Sequence, residues 1–448
     1  MYTLCILIHE TQARIRISLR NGLSLKEEKE GQMQRIRGKS AIAALTASVF
    51  MLAGCAGAAT EEEDASTSDG SSQEETELAN EDPIRVVVFG GIGAEGILAN
   101  NATTSVTAAK ASVEAVNAAG GILGREVVIE VIDDTADPTV AVTRLRELMA
   151  SDERPQVVMN SGPSTVADAM LPILTEEKVL SFNIGPTPTS GDPAVSPYNF
   201  DLSASVPDYL GSFVNEVGAR GYENVAILHG SSAYGELFGS QSEEKLVEAG
   251  FTVTGNQGYD NAALDMTAQL ESLRATNPEV LILDAYGAPL GYVLQGVERL
   301  GWDIPIMGNT SVAATGLVTS EPPNGVLGTD QVANLTMQVF KSTKYDASAT
   351  GVNEAVDRMM AAGDILSSLI LAYNYDAMLL MKAAAESVGS LDDVDALAAA
   401  LLEEPVQKAA NTQMISWYRF TADSHTPHVA PEDFLFISPG PLVKGQYQ

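Results

Sequence analysis

The chain has 448 residues, enough for two or three domains, and 45% of them are hydrophobic, which allows a sizeable core. Its formal net charge of -33 argues against nucleic acid or an anionic membrane surface as a direct partner, because both attract clustered Lys and Arg. With only Cys5 and Cys55 and four scattered His, the sequence excludes a disulfide framework and shows no metal-ligand motif, so we expect no metal and no cofactor.

The region before the first predicted strand indicates export. Residues 33–55 read MQRIRGKSAIAALTASVFMLAGC, in which a positively charged start precedes the apolar run Ala41–Ala53. That run is shorter than the ~20 residues that a membrane span needs. The LAGC that ends at Cys55 resembles the lipobox of bacterial lipoproteins, which implies lipidation of Cys55 and cleavage just before it. A core helix that happens to end in Cys is the alternative, but it does not explain the order of the three features.

The chain before the body therefore divides into two parts. Residues 1–54 are assigned to the signal region, and Met33 is an alternative start because a signal peptide begins at its charged segment. Residues 55–83 comprise the lipidated Cys55 and a tether. The stretch Ala59–Pro83 is acidic, rich in Ser and Thr and almost free of large apolar residues. Such a composition cannot bury a core, so we expect this tether to be disordered.

The body begins with the apolar strand Ile84–Phe89, and Gly91, Gly93 and Gly96 then form a GxGxxG pattern. A dinucleotide site requires a helix that starts at such glycines and an acidic residue ~20 positions further on. Here the polar stretch Asn100–Thr104 is expected to separate the glycines from the helix, and the acidic residue is missing. An exported protein also has little access to cytosolic NAD. We interpret the glycines as a tight loop at the edge of a sheet.

Strands and helices alternate along the rest of the body, which predicts three-layer α/β domains. The first series has helices at Thr104–Ala119 and Val140–Ala150 and strands at Val127–Asp134, Gln156–Asn160 and Val179–Ile184. The second series, after a break at Tyr198–Ser205, has helices at Val206–Arg220, Tyr234–Ala249, Leu264–Ala275 and Leu290–Leu300 and strands at Asn224–His229, Phe251–Gly255, Val280–Leu283 and Ile304–Gly308. Two α/β lobes of similar build are therefore expected.

The remaining chain is predicted to cross twice more between the lobes. Asn324–Val332 is the expected second crossing, and helices at Asn353–Ala362, Ile365–Ser387 and Val394–Leu402 would return to the first lobe. A strand at Met414–Phe420 and the tail Asp433–Ser438 would form the third crossing. The predicted domains are 84–202 plus 329–418 for lobe 1, and 203–328 plus 419–448 for lobe 2.

The stretch Asn160–Pro188 carries the candidate site of the first lobe. It predicts a strand end, a Ser-rich turn that opens a helix, a further strand and a second polar turn. On a parallel sheet these two turns would lie side by side and present hydroxyls and unpaired backbone N–H groups. The N-terminus of a helix attracts anions, so the pocket is suited to a small carboxylate.

Several segments in series resemble one family. They are VNAAGGILGREVVIEVIDD with DPTVAV (Val116–Val142), SGPSTVADAMLPI, VLSFNIGPTPT, NVAILHGSSAYGELF, PEVLILDAYG and AYNYDAMLLMKAAAES (Ala372–Ser387). Their order and spacing identify the body as similar to the type I periplasmic solute-binding proteins of ABC importers, in the branched-chain amino-acid, amide and urea group typified by leucine-binding proteins. The resemblance implies an α/β fold of two α/β/α lobes joined by three hinge crossovers that close on a small polar ligand.

The resemblance also implies a set of ligand-binding residues. The carboxylate-binding hydroxyls correspond to Ser164, with Ser161 close by, and to Thr187, while the preceding carbonyl corresponds to Gly185. From the second lobe, Tyr234 and Tyr286 correspond to the aromatic residues that cover the ligand, and Thr310 occupies the position where amino-acid binders place an acidic residue.

Two differences from the family's pattern leave the identity of the ligand open. Thr310 cannot neutralise an ammonium, although Asp284, two residues before Tyr286 on the same side of a strand, is a candidate replacement. Where the family often has an aromatic residue in its first loop, this chain has Asn100 and Asn101. An amino acid, an amide, a urea-like solute or another carboxylate therefore remains possible as ligand.

Together these features predict an exported, lipid-anchored, monomeric binding protein that delivers a small solute to an ABC permease and its ATPase subunits. A ligand sensor of the same fold, which presents its closed form to a receptor, is the alternative. An enzyme is a third hypothesis, but the sequence contains no GxSxG, and processing at Cys55 would leave no free thiol. We therefore expect no catalytic activity.

The lipid anchor is tested by changing Cys55 to Ser. The variant lacks the thiol that would carry the lipid, so it should move from the membrane fraction to the soluble fraction. Fractionation followed by immunoblotting measures this change. A Cys55→Ser protein that stays with the membranes would show that the lipobox interpretation is wrong.

Overall fold

A computed structural model describes residues 82–448. The predicted signal region, Cys55 and the tether as far as residue 81 lie outside the described residues. Among the helices of residues 82–448, none combines the length and the hydropathy that crossing a bilayer requires.

The first sheet has five strands, and every neighbouring pair is parallel. These strands are Ile84–Gly90 (β1), Val127–Asp133 (β2), Val157–Asn160 (β3), Leu180–Asn183 (β4) and Asn199–Asp201 (β5). Their spatial order is β2-β1-β3-β4-β5. Strands β1, β3 and β4 are almost wholly buried, as expected for a parallel sheet covered on both faces.

The second sheet has six strands in the order β11-β10-β9-β8-β6-β7. They are Asn224–Gly230 (β6), Thr252–Tyr259 (β7), Val280–Leu283 (β8), Ile306–Gly308 (β9), Leu335–Phe340 (β10) and Phe434–Ile437 (β11). All neighbours are parallel except β11, which runs antiparallel to β10. Strands Leu442–Val443 (β12) and Gln446–Tyr447 (β13) form a separate hairpin.

Helices cover both faces of each sheet. They are Ile97–Ala118 (α1), Pro138–Met149 (α2), Ser164–Glu176 (α3), Val206–Ala219 (α4), Ala233–Glu248 (α5), Thr267–Arg274 (α6), Ala288–Arg299 (α7), Thr310–Ala313 (α8), Thr350–Ala362 (α9), Asn374–Val388 (α10), Val394–Leu401 (α11) and Glu404–Ala409 (α12). Short 3-10 turns occur at Gly316–Val318, Asp330–Val332, Lys341–Thr343, Leu369–Leu371 and Pro431–Asp433.

Alternating residues of each strand supply two different core layers. In β1, Val87 and Phe89 pack with the apolar faces of α2 and α3, whereas Val86 and Val88 join the core that includes α1 and α10. In the second sheet, alternate side chains of the strands likewise pack against α4 and α5 on one face and against α6 and α7 on the other. The period of two along a strand thus produces the three layers, and the predicted fold class is confirmed.

The second crossing occurs later than the sequence analysis predicted. After Asp330–Val332 the chain forms β10, which pairs with β9 and β11 in the second sheet, so residues 335–340 belong with lobe 2 rather than lobe 1. The chain then passes through Lys341–Thr343 to α9 and the other helices that pack beside α1. An additional strand was missed because LTMQVF mixes polar and apolar residues at the edge of the predicted second lobe.

Residues 414–420 do not form the predicted strand. The buried Asp376 carboxylate accepts hydrogen bonds from the backbone N–H groups of Gln413, Met414 and Ile415, at 2.7 to 3.2 Å, and from the hydroxyl of Tyr418. A side chain therefore satisfies the backbone groups that a neighbouring strand would otherwise satisfy.

Two predicted helix boundaries also differ. Helix α1 begins at Ile97, directly after Gly96, so the polar stretch Asn100–Thr104 is helical and does not separate the glycines from the helix. Its polar side chains serve tertiary contacts: Thr104 Oγ1 accepts hydrogen bonds from the N–H groups of residues 366 and 367 at 2.9 Å. The helix predicted from Ile365 begins only at Asn374, after the turn Leu369–Leu371.

Candidate functional site

A cavity of about 460 Å³ lies where the ends of the two sheets meet. Most of its wall consists of residues that directly follow the carboxyl ends of strands, where ligands bind in open α/β sheets. The first lobe contributes the segments after β1, β3, β4 and β5, and the second lobe contributes those after β6, β8 and β9. The volume falls in the ~300–1,000 Å³ range of small-molecule pockets.

Two adjacent turns form the first-lobe wall. Gly185, in the turn after β4, lies so close to the turn after β3 that an added Cβ would be 2.9 Å from Ser164 N and 3.0 Å from Gly162 O. Only glycine permits this approach, which places the two turns side by side as the sequence analysis expected. Ser164 opens α3 at the cavity wall, so the unpaired N–H groups of the first helical turn face a possible anion.

Ser161 is held in place from behind the wall. Its hydroxyl accepts a hydrogen bond of 2.7 Å from Asn374 Nδ2, at the start of α10. The same amide contacts Ser105 Oγ on α1 at 3.1 Å. Ser161 is 4% exposed and borders the cavity, so its hydroxyl proton remains available to a ligand.

Thr187 does not line the cavity. Its hydroxyl accepts hydrogen bonds from the N–H groups of Thr189 and Ser190, and its own N–H donates to Ser190 Oγ at 2.8 Å. Thr187 thus closes its own turn, and the wall at this point is formed by Ile184, Gly185 and Pro186. The local hydrogen bonds of the Thr-Pro-Thr-Ser turn explain why the Thr187 hydroxyl does not face the cavity.

The second-lobe wall contains the three other predicted residues. Tyr234 lies in the first turn of α5, which Ser232 caps by accepting a hydrogen bond from Gly235 N at 3.0 Å. Its ring stacks on Phe238 with 6.2 Å between centroids. Tyr286 and Thr310 follow β8 and β9 and also line the cavity.

Tyr209 and Tyr373 also line the cavity, and the sequence analysis did not identify them as site residues. Both pack edge-on against Phe340 at the end of β10, with centroid separations of 6.0 and 5.6 Å. Burial raises the pKa of Tyr209 to about 12. Tyr373 lies within the segment AYNYDAM that contributed to the family resemblance, but nothing in the sequence indicated that the chain after the second crossing returns to the cavity.

Four buried polar atoms beside the cavity have no hydrogen-bond partner of normal geometry among the described residues. They are Asn101 Oδ1, Ser203 Oγ, Tyr234 OH and Tyr373 OH. Other such atoms occur elsewhere in the fold, but the residues that carry these four all line the cavity. The Tyr373 hydroxyl lies beside that of Tyr209, and the Tyr234 hydroxyl lies beside Thr310 and Asn309. Leaving a buried polar atom unpaired costs ~1–3 kcal/mol, so polar groups of a ligand would be stabilised here.

The described residues that line the cavity include only one acidic or basic side chain. Among the described lining residues Asp284 is the only acidic one, and Lys, Arg and His are absent. Burial raises the pKa of its carboxyl, although hydrogen bonds from Asn309 and Ser311 oppose that shift. No cluster of His, Cys, Asp and Glu suited to a metal ion occurs among residues 82–448.

The two lobes touch at the mouth of the cavity. Asn101 Nδ2 on α1 donates a hydrogen bond to the hydroxyl of Tyr286, which follows β8. Beside it, a Cβ added to Gly287 would lie 3.7 Å from Ile97 Cγ2. These contacts join residues of both lobes, so a ligand inside would be in contact with both lobes at once.

Comparison with known proteins agrees with this geometry. The family model described as periplasmic binding protein matches residues 84–429. The Leu/Ile/Val-binding protein BraC3 of Rhizobium johnstonii is 24% identical over 298 residues, which are 65% of this chain and 77% of that protein. The Leu/Ile/Val-binding protein of Citrobacter freundii is 26% identical over 284 residues, or 60% of this chain and 75% of that protein.

A solved structure shows the same fold. The periplasmic binding protein type 1 from Bordetella pertussis superposes with a TM-score of 0.65 at 18% identity, covering 80% of this chain and 96% of that one. The family match and the shared fold confirm the resemblance seen in the sequence. The chain belongs to the type I periplasmic binding protein family.

Proposed function

We propose that the chain is a lipid-anchored, extracytoplasmic solute-binding protein that captures a small polar solute between its lobes and delivers it to an ABC permease. The observation that carries the proposal is the set of unpartnered buried polar atoms around one cavity. They come from both lobes: Asn101, Ser203 and Tyr373 belong to the first lobe or its connections, and Tyr234 belongs to the second.

Lobe closure follows from this distribution of contacts. A solute that bonds to the Ser161 and Ser164 wall alone gains only part of the available interaction free energy. The second lobe contributes Tyr234 and Thr310 to the same cavity, so a solute bonded to both walls contacts the two lobes together. Each hydrogen bond to a charged group contributes ~1.5–3 kcal/mol, so the ligand shifts the lobe equilibrium toward the closed arrangement.

The class of solute is proposed from the lining and the relatives. Both relatives described above are named as Leu/Ile/Val-binding proteins. The cavity combines hydroxyls with apolar surface from Leu98, Ile184, Ile370 and Leu371. These features support a branched-chain or other amino acid, an amide or a related carboxylate as ligand, with no chemical conversion.

Ligand binding is tested by a thermal-shift screen of amino acids, amides, urea and small carboxylic acids on the processed protein. A solute present at 100 times its Kd should stabilise the chain by ~2.7 kcal/mol. Isothermal titration calorimetry of each hit then gives the affinity and a stoichiometry of one. If no solute in these classes raises the melting temperature, the proposed function is wrong.

The unpartnered hydroxyl of Tyr373 generates a second prediction. Tyr373→Phe removes a hydroxyl that lies beside the Tyr209 hydroxyl but makes no hydrogen bond of normal geometry among the described residues, so the free energy of unfolding should change by less than ~1 kcal/mol. The affinity for the ligand should fall about tenfold, because ~1.4 kcal/mol of bonding is lost. Urea denaturation and calorimetry measure the two effects.

Tyr418→Phe is the matched control. Its hydroxyl donates to Asp376 Oδ2 at 2.9 Å, and it does not line the cavity. This variant should lose ~1.5–3 kcal/mol of stability and keep its ligand affinity. Equal destabilisation of the two variants would mean that the Tyr373 hydroxyl already has a partner within the chain.

A further inference from the structure

Three neighbouring strands of the first sheet end in buried polar side chains. Asn160, Asn183 and Asp201 are the last residues of β3, β4 and β5, and the strand register places them side by side. They are 5%, 1% and 0% exposed, and none of them lines the cavity between the lobes. We call these three residues the polar row. Buried polar groups are costly unless they are hydrogen-bonded, so the partners of the row indicate what it does.

The first two members of the polar row bind to each other, and each holds one turn of the first-lobe wall. Asn160 Nδ2 donates a hydrogen bond to Asn183 Oδ1 at 2.9 Å, and Asn160 Oδ1 accepts one from Gly162 N at 2.9 Å. Asn183 Oδ1 also accepts from Gly185 N at 3.0 Å, and its Nδ2 donates to Gly185 O at 2.8 Å. Gly162 and Gly185 both line the cavity. A carboxamide of the row therefore lies directly behind each of the two turns.

The two glycines need this support, because neither lies in a helix or a strand. Glycine has the widest range of backbone conformations, so a turn built on it depends on its contacts. Pro163 and Pro186, which follow the two glycines, have no N–H group to donate. Because a Cβ on Gly185 would lie only 3.0 Å from Gly162 O, movement of one turn would displace the other.

The third member of the polar row connects the wall to the segments that join the lobes. Asp201 Oδ1 accepts a hydrogen bond from Asn183 Nδ2 at 3.0 Å, and Oδ2 accepts from Ser190 Oγ at 2.7 Å and from Thr426 Oγ1 at 2.9 Å. Asp201 ends β5, after which the chain passes to α4 in the second lobe. Thr426 lies in the segment that returns to β11 in the second sheet. Two connections between the lobes thus meet at one buried carboxylate.

We infer that Asn160, Asn183 and Asp201 are positioning residues for solute binding. They hold the two turns of the first-lobe wall in the arrangement that a solute meets, and they tie this wall to the connections along which the second lobe moves. Hydrogen bonds in such a buried network strengthen one another, so removal of one member weakens the others. The effect on affinity depends on the proposed function, whereas the effect on the two turns does not.

The chain contains a matched control for Asn183. Gln407, in α12, is 3% exposed and holds one residue by both backbone groups: its Nε2 donates to Phe420 O at 3.0 Å, and its Oε1 accepts from Phe420 N at 3.1 Å. Neither Gln407 nor Phe420 lines the cavity. Asn183→Ala and Gln407→Ala therefore each remove a buried carboxamide that holds a backbone segment, but only the first lies behind the wall.

Hydrogen–deuterium exchange of the full processed protein without any solute tests the effect on the turns. Both alanine variants should lower the melting temperature, because each leaves buried backbone groups unpaired. In Asn183→Ala the peptides that cover 160–166 and 184–190 should exchange at least tenfold faster than in wild type. In Gln407→Ala these peptides should exchange at the wild-type rate.

Isothermal titration calorimetry tests the effect on affinity, with L-leucine, L-isoleucine, L-valine and the small carboxylic acids of the thermal-shift screen as probes. Asn183→Ala should weaken every probe that binds wild type at least tenfold, whereas Gln407→Ala should change its affinity less than twofold. Thr426→Val keeps the shape of a partly buried side chain and removes only its donor to Asp201. This milder variant should fold normally and weaken the same probes at least threefold.

Four results would overturn the inference. Wild-type exchange of both turns in Asn183→Ala would remove the positioning role. Faster exchange with unchanged affinity would show that binding does not depend on the polar row. Equal losses of affinity in Asn183→Ala and Gln407→Ala would assign the effect to overall stability. Unchanged affinity in Thr426→Val would break the connection to the lobe crossings. If no probe binds wild type, the proposed function is wrong, and the exchange comparison still decides whether the row positions the turns.

Discussion

Every polar group buried at the cavity must find a hydrogen-bond partner or raise the free energy of the folded chain, and the chain supplies only part of those partners. Among the described residues, the hydroxyls of Tyr234, Tyr373 and Ser203 make no hydrogen bond of normal geometry. This imbalance exists because parallel strands end at one edge of each sheet and bring their polar turns together there. A bound solute is the natural source of the missing partners.

The same constraint connects binding to the movement of the lobes. The cavity wall comes from both sheets, and its mouth is bridged by the contact between Asn101 and Tyr286. Hydroxyls of the first lobe and polar groups of the second lobe line the same cavity. A solute that bonds to both stabilises only the arrangement in which the lobes are together. The aromatic cluster around Phe340, where the chain leaves the second sheet, supports the floor of the cavity.

Much of this architecture can be predicted from the sequence, because strand periodicity and turn residues are local signals. Most strands of both sheets, and the close packing of the turns after β3 and β4, follow from apolar runs and from glycine at position 185. The strand Leu335–Phe340 could not be recognised locally, since its pairing depends on β9 and β11. The prediction of a strand at 414–420 was wrong because backbone N–H groups of this segment donate hydrogen bonds to the carboxylate of Asp376, which is distant in sequence, instead of to a neighbouring strand.

In the site, too, residues in local turns could be predicted from the sequence, whereas residues placed by tertiary packing could not. Six of the seven predicted ligand-binding residues line the cavity, while Thr187 is engaged in its own turn. Tyr209 and Tyr373 were missed, since their position depends on how helices α4 and α10 pack around the hinge. Thr310 lines the wall but has no charge, and Asp284 is the only acidic residue among the described residues that line the cavity.

Hydrogen–deuterium exchange, with and without the solute that stabilises the chain most, tests the central claim most directly. A solute held between the lobes should slow exchange in peptides of both walls, around residues 161–166 in the first lobe and 234–238 and 310–314 in the second. Peptides near residue 203, in the first crossing, and near residue 373, at the start of α10, should be protected as well. Protection confined to one lobe, or located away from these segments, would contradict a site formed by lobe closure.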